Sequence, residues 1–590
     1  RWADPEAMRA VLSRCAVLGW RVEYRLLRGL VQSEHNQPFA SALDAALEAL
    51  VRSGLLREAG SSGDDVLEFD HRLMRDVLLQ DLEERRMERA LHAQAAEIKI
   101  AMWKDRIGDR ALEIAEHYRH ARNSQGVYIY TLKAARQALT ACDLRLAMTL
   151  FKQAEELSGT LDEASQPLQD PAGGPPLAGP QVALEVAHLE RRLGEYDAAR
   201  QDYRKLLAST SPEVALWARW GLGELSQRQG DYDEAVGWFE AARREAVRAM
   251  QFPQPGYELL AGSIDAHCLF GLGCVAAARG ELSAAALTLG EALEKSQKVQ
   301  DRLLEADALR ITSDVCWSMG EVDRAEVYRR RAALLAESFG DREAQAQAMF
   351  HAAKHLCDTG HIVEAEQRAA EAMQVFEGLG KRHHVAHCLL LLGELAWLKA
   401  DYKEAAQLLR KAHRFYELFR DRRGLTECKL FLASLALSIK RYPNTQTLAR
   451  DAAEGFRAMG DRRGEALTGV LVGRLELALQ KYDRAARSFV DAASALEHLR
   501  DTRAAITARL WSLAALECAG EIDQVDSAIG ALLTTLDAAE IADEPTGSAL
   551  TQLAEVLGDR RPDLAMDADE RAERVWQRLG RPLLVEIPTA

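Results

Sequence analysis

Along most of the chain, apolar residues recur at i, i+3, i+4 and i+7 in segments of about 15 residues, without strand-like alternation. Short turns punctuate these segments at a fixed step. Gly280-Glu281-Leu282, Gly320-Glu321-Val322, Gly360-His361-Ile362, Ala400-Asp401-Tyr402, Lys440-Arg441-Tyr442, Gln480-Lys481-Tyr482 and Gly520-Glu521-Ile522 each begin 40 residues after the last. Gly194-Glu195-Tyr196 and Gly230-Asp231-Tyr232 precede them at 36 and 50 residues, the longer step holding an insertion with Pro253, Pro255 and Gly256. A second turn has the same period in another phase, at Gln300-Asp301-Arg302, Gly340-Asp341-Arg342, Gly380-Lys381-Arg382, Arg420-Asp421-Arg422, Gly460-Asp461-Arg462 and Arg500-Asp501-Thr502. Two turns per period leave two helices, so each unit is a helical hairpin. A lone hairpin cannot bury its apolar face, and the copies must stack.

Small residues keep phase with the turns. Gly223, Gly273, Gly393 and Gly473 fill one small position. Ala235, Ala285, Ala325, Ala365, Ala405 and Ala485 fill a second, and Ala242, Ala292, Ala332, Ala372, Ala412, Ala452 and Ala492 a third. Thr445 and Val525 depart from the second. With Leu222, Tyr232 and Phe239 this pattern resembles the tetratricopeptide family over roughly residues 181–580. The resemblance implies an all-α fold, a right-handed superhelix of stacked helix-turn-helix units with a 40-residue repeat, assigned here to 182–580 with a tail at 581–590.

The first 181 residues read differently. Helices are expected at Glu6–Leu18, Tyr24–Val31 and Ser41–Ser53, then a hairpin from Gly54-Leu55-Leu56 through a Gly60–Gly63 turn to Val66-Leu67-Glu68-Phe69. That order suggests a small winged-helix-like domain and following helices over residues 1–100. Degenerate helical repeats follow at 101–157. A linker at 158–181 holds Pro167, Pro171, Pro175, Pro176 and Pro180. The passage Phe69-Asp70-His71-Arg72-Leu73-Met74-Arg75-Asp76 resembles the end of the winged helix in bacterial STAND proteins, the signal-transduction ATPases with numerous domains. The resemblance implies a nucleotide-binding module ahead of this region and, in some fusions, a Ser/Thr protein kinase. The chain starts at Arg1 rather than Met, consistent with a piece of such a protein.

Charge narrows the partners. The net charge is −15, so phosphate is repelled unless a basic patch forms. The candidate recognition helix Ser41–Ser53 sets Asp44 and Glu48 against Arg52 alone, and nucleic acid is not an expected partner. Nine scattered cysteines, none in a CxxC pair, read as reduced thiols of a cytoplasmic protein. No apolar run is expected to approach 18 residues, the longest dense stretch being Leu389–Leu398 with Glu394 inside it, and no membrane contact is expected.

Catalytic signatures are missing. There is no Walker A loop, so ATP and Mg are expected only in an upstream module, with no cofactor in this chain. Gly221-x-Gly223 and Gly271-x-Gly273 lie in helices without a preceding strand. His351, His355, Cys357 and His361 form one histidine group, and His383, His384, His387 and Cys388 another. Both sit in ordinary repeat helices without HExxH or CxxC, and read as solvated or satisfied side chains rather than metal ligands.

What remains is a surface. In the resembling family the first helix of each hairpin lines a concave groove. Carried over by position, the partner-binding residues are Trp217, Arg228, His267, Arg310, Asp314, Trp317, Gln347, Phe350, Lys354, His387, Glu394, Trp397, Glu427 and Arg474, with Trp220 and Phe270 more central to the packing. Both charge signs occur, which suits a folded or amphipathic protein or peptide partner. The expectation is a non-catalytic sensor and scaffold region acting on an intramolecular nucleotide-binding module. A constitutive assembly scaffold and the sensor of an ATPase-type transcription regulator are the alternatives.

Overall fold

The two turns per period work because each lets the chain leave a helix through the left-handed region. In the computed structural model, Gly230, Gly280, Gly320, Gly360 and Gly520 have φ between 79° and 86°. Ala400, Lys440 and Gln480 occupy the equivalent place with φ of 58–61°. At Ala400 the following N–H of Asp401 donates to the Ala396 carbonyl at 2.9 Å, closing the helix end. A Cβ in this conformation costs roughly 1–2 kcal/mol, offset in part by the greater chain freedom glycine has when unfolded. Replacing Ala400, Lys440 and Gln480 together by Gly should therefore stabilise the array by about 2 kcal/mol, read as a higher urea midpoint. An unchanged or lower midpoint would show that the turns carry no strain.

The structure describes residues 5–32, 37–59, 66–103, 106–141, 143–159, 179–251, 257–338, 342–539, 541 and 543–579. The expected Gly60–Gly63 turn, most of the proline-rich linker, Pro253, Pro255, Gly256, the Gly340-Asp341 turn and the tail fall outside them. The chain divides into two compact units, residues 1–189 and 190–590.

The first unit opens with α1 (Pro5–Leu18), β1 (Arg21–Glu23), α2 (Tyr24–Gln32), α3 (Gln37–Arg52), β2 (Leu56–Glu58) and β3 (Val66–Phe69). The strands form one antiparallel sheet in the order β1-β3-β2. The two hairpin strands lie where the sequence placed them; β1 was not foreseen, because three residues are too few to show alternation. Glu68 on the central strand is buried and bridges Arg21 and Arg57 from the strands on either side. Cys15, Val22, Leu27, Leu30, Leu50 and Phe69 pack beneath. There follow α4 (Arg72–Glu84), α5 (Glu88–Met102), α6 (Ile107–His120), α7 (Ser124–Thr140) and α8 (Leu144–Ser158), with α9 (Gly179–Leu193) spanning the division.

The second unit continues with α10 (Tyr196–Leu206), then α11 (Pro212–Gln229) and α12 (Tyr232–Gln251), α13 (Tyr257–Ala278) and α14 (Leu282–Lys298), α15 (Arg302–Ser318) and α16 (Val322–Ser338), and α17 (Arg342–Asp358) and α18 (Ile362–Gly378). The series goes on through α19 (Arg382–Leu398) and α20 (Tyr402–Phe419), α21 (Arg422–Ser438) and α22 (Tyr442–Met459), and α23 (Arg462–Ala478) and α24 (Tyr482–His498). It closes with α25 (Thr502–Ala519) and α26 (Ile522–Ala539), α27 (Glu544–Leu557) and α28 (Pro562–Arg578). No strand occurs among its described residues.

The in-phase small residues sit where helices come closest. A Cβ on Gly473 would lie 2.7 Å from the Phe489 ring of its own hairpin, and one on Gly464 would lie 2.4 Å from the Phe456 ring of the previous hairpin. Ala285, Ala365, Ala405 and Ala485 are fully buried, and Thr445 occupies the same site with its hydroxyl donating to the Arg441 carbonyl at 3.2 Å. The stack is a tetratricopeptide-type helical solenoid.

One expectation from composition needs correction. The stretch Glu258–Ala278 is long and apolar enough to cross a membrane by length and composition. In the fold it is α13, an array helix. Its Asp265 is fully buried and accepts a hydrogen bond from Arg243 of α12 at 2.9 Å and another from Lys295 of α14. That pairing ties three helices together.

Candidate partner-binding face

The first helices of successive hairpins, α11 to α25, present one continuous face. The array then brings distant parts of that face together. The Arg503 guanidinium of α25 lies 3.9 Å from the Trp317 ring centroid of α15. Arg423 donates to the Tyr232 hydroxyl at 3.4 Å, and Arg422 pairs with Asp231. The Arg463 backbone and Cβ close on Gly280, where an added Cβ would lie 2.6 Å from the Arg463 Cβ. Helix starts therefore meet turns about 180–190 residues earlier, consistent with a tightly wound superhelix.

Several predicted residues meet in this interior. Arg310 donates to Asp307 at 2.9 Å and lies 2.5 Å from His351 Nε2. His351 Nδ1 is 3.2 Å from Asp314, and Lys354 Nζ is 3.6 Å from the same carboxylate. Burial works against the charge on Asp314, but Lys354, His351 and Arg310 outweigh it and hold the carboxyl well below its ordinary range. Burial pulls His351 down to about 4, so it is neutral at pH 7 and its Nε2 can accept from Arg310.

The next turn along behaves oppositely. Burial pushes Asp358 up to about 6 and Glu394 up to about 8, each raised further by neighbouring carboxylates. Lys354 and Arg503 only partly compensate at Asp358. Glu427 accepts from Arg423 at 2.8 Å. The face thus runs from the paired charges of Arg310 with Asp307 and Lys354 with Asp314 into an acid-rich patch of Asp358 and Glu394.

Other predicted residues lie deeper in the packing or are engaged by neighbouring side chains. Trp317 is 8 % exposed, capped by Arg503 and by His355 with ring centroids 4.6 Å apart. Trp397 is 6 % exposed, its indole N–H donating to Ser438 at 3.0 Å. Trp317 lies beneath Arg503 of α25 and Trp397 against Ser438 of α21. Trp217, Trp220 and His267 form a perpendicular aromatic trio with centroids 5.2–5.5 Å apart. Arg228 chelates Glu224 at 2.8 and 3.1 Å. Arg474 stacks on Trp511, 5.2 Å from its centroid. Gln347 and Phe350 are half-buried, Phe350 beside His387 at 6.4 Å.

The two histidine groups also resolve. His351 and His355 point to different neighbours, Arg310 and Trp317. His383, His387 and Asp421 converge, with one candidate ligand atom from each within 4.8 Å. His383 Nε2 already bonds Asp421 at 3.0 Å and His387 Nδ1 meets the Tyr416 hydroxyl at 2.8 Å.

Arg423, Arg463 and Arg503 were missed as members of this face. Their signal was present: they follow Asp421, Asp461 and Asp501 at the same offset in three successive repeats.

Comparison with known proteins adds the following. No protein-family model matches the chain, and no curated protein matches it. Among solved structures, it is similar to a Rap protein complexed with competence and sporulation factor, at 12 % identity and a TM-score of 0.46, covering 64 % of this chain and 99 % of that one. It is similar to a STAND protein with a tetratricopeptide repeat sensor from Pyrococcus horikoshii, at 12 % identity and a TM-score of 0.46, covering 79 % of this chain and 66 % of that one. The Cut9-Hcn1 hetero-tetramer of the APC/C is a third, at 13 % identity and a TM-score of 0.44, covering 86 % and 95 %. At these values the likeness concerns the helical-repeat fold alone.

Proposed function

We propose that the second unit is a protein-interaction sensor whose inner face binds an extended or single-helix peptide segment. The observation that supports it is the charge pattern along α15, α17 and α19, from the Arg310–Asp307 and Lys354–Asp314 pairs to the acid-rich Asp358 and Glu394. Lys354 keeps about half of its side chain exposed and Asp314 a third, although the wall from α21 to α25 stands opposite. A charged, solvated face in a narrow interior suits one segment with separated acidic and basic ends. The approach of the opposite wall disfavours a folded domain.

The larger reading is that occupancy of this face is passed to a STAND-type nucleotide-binding module, and through it to an effector such as a Ser/Thr protein kinase. It is supported by the order of elements in the first unit, where three helices and a three-stranded sheet follow the succession expected of a winged helix. Coupling of this kind is typically worth ~1–3 kcal/mol.

Peptides selected from a random dodecamer library against the full 590-residue chain test the binding face. Their affinity should fall at least tenfold, about 1.4 kcal/mol, with Lys354→Glu. It should be unaffected by Arg410→Glu on an exposed outer helix. Binders indifferent to Lys354→Glu would overturn the assignment.

A further inference from the structure

Outside the interior face, the first unit holds a side-chain cluster that neither its packing nor the proposed function uses. Glu88 and His92 are four residues apart on α5, and His117 and His120 three apart on α6. His92 and His117 are buried, at 3 % and 6 % exposure. Their Nδ1 atoms are 2.9 Å apart, so one ring donates to the other.

Either ring can be the donor in that bond. With the proton on His92 Nδ1, donated to His117, the Nε2 lone pair is left buried, and it has no hydrogen-bond partner among the described residues. It faces Glu88 Oε1 at 3.9 Å. His120 Nδ1 approaches the same oxygen at 3.6 Å, and its ring stacks on His92 with centroids 4.6 Å apart. One candidate ligand atom each from Glu88, His92 and His120 therefore lies within 4.8 Å of the others. Acceptors set face to face, beyond hydrogen-bond reach, are held together best by a cation between them.

We propose that Glu88, His92 and His120 form a binding site for a divalent transition-metal ion of the zinc type. Two imidazoles and one carboxylate are a zinc-compatible donor set. Bonds of about 2.0–2.1 Å would place tetrahedral ligand atoms about 3.3–3.4 Å apart. The Glu88 oxygen, at 3.9 and 3.6 Å from the two nitrogens, is near that spacing, while the His92 and His120 nitrogens, within 4.8 Å of each other, close on it by rotation of the half-exposed His120 ring out of its stack. His117 acts through His92, fixing its tautomer and ring orientation as a partner behind a ligating histidine does. His120 is about half exposed, which leaves the fourth position open to water.

The neighbouring charges are compatible with a dication. Lys99 is the nearest ammonium on α5 and is paired with Glu113 at 3.0 Å. Arg75 of α4 donates from Nε to the Ala16 carbonyl at 3.0 Å. Glu116 is occupied by Arg119.

The tag-free full chain should bind one equivalent of Zn²⁺, displaced from a chromophoric chelator, and Co²⁺ should give the visible bands of a four-coordinate site. His120→Ala and Glu88→Gln, both at part-exposed positions that leave the core intact, should each weaken Zn²⁺ at least 100-fold. His117→Gln should weaken it 10–100-fold by loosening His92. His387→Ala in the second unit should leave affinity and stoichiometry unchanged. Zn²⁺ should raise the melting temperature of the parent and of His387→Ala, not of His120→Ala. No bound metal, or binding that survives His120→Ala and Glu88→Gln, would overturn the site.

Discussion

Asp501→Ala should destabilise the array by about 3–5 kcal/mol, against about 1 kcal/mol for Asp401→Ala. Both aspartates cap helices. Asp401 accepts from the Glu404 N–H at 3.0 Å at an exposed turn. Asp501 accepts from the Ala504 N–H at 3.2 Å, is fully buried, and also accepts from Arg463 Nε at 2.6 Å. Asp501 is the main cause of the rise in the Arg463 guanidinium's pKa. Removing the carboxylate takes away a cap and leaves a half-buried cation unpaired, where α23 meets the turn at Gly280. A stacked array can unfold in sections, so the loss should appear as an early urea transition of the C-terminal hairpins. Asp501→Asn keeps the capping oxygen and should recover about 1 kcal/mol. Equal losses from Asp501→Ala and Asp401→Ala would mean that the Arg463 contact contributes nothing.

The repeat and its turns were legible because their determinants are local. A left-handed turn residue, a capping aspartate and a small residue at a helix contact each act within one hairpin, so they recur at 40-residue steps. The return of α21, α23 and α25 onto earlier turns was not legible. It depends on small rotations summed over several hairpins, which no single repeat encodes. Arg423, Arg463 and Arg503 were in plain view, but on one hairpin alone each reads as a solvated charge. The same limit explains the burial of Trp317, whose neighbour Arg503 lies 186 residues away. The Glu88–His92 and His117–His120 spacings were readable on their helices; only the packing of α5 against α6 makes them one cluster.

Glu394 should make the array less stable as pH rises through the neutral range, contrary to the usual behaviour of a carboxylate. Burial raises its folded-state value to about 8, with Asp358, Asp543 and Glu427 adding to the rise and Lys354 opposing it. The folded state then holds the proton more tightly than the unfolded chain. The stability this supplies is complete below about pH 4.5 and is lost as pH rises through about 8. Asp358, raised to about 6, loses its share earlier in the same direction. Because water reaches this half-buried face, the combined change between pH 5 and 8.5 is on the order of 2–3 kcal/mol, below the full value of the shifts. Asp314 is held low by Lys354, His351 and Arg310, stays ionised across that interval and contributes no slope. Glu394→Gln should match the parent at pH 5, exceed it at pH 8.5, and flatten the profile between them; urea midpoints at the two pH values measure both. A variant equally displaced at both would place the Glu394 carboxyl in ordinary contact with solvent. The same titration adds negative charge to the acidic end of the inner face, so a segment docked there by a basic end should bind more tightly at pH 8.5 than at pH 5 in the parent, and with much less pH dependence in Glu394→Gln.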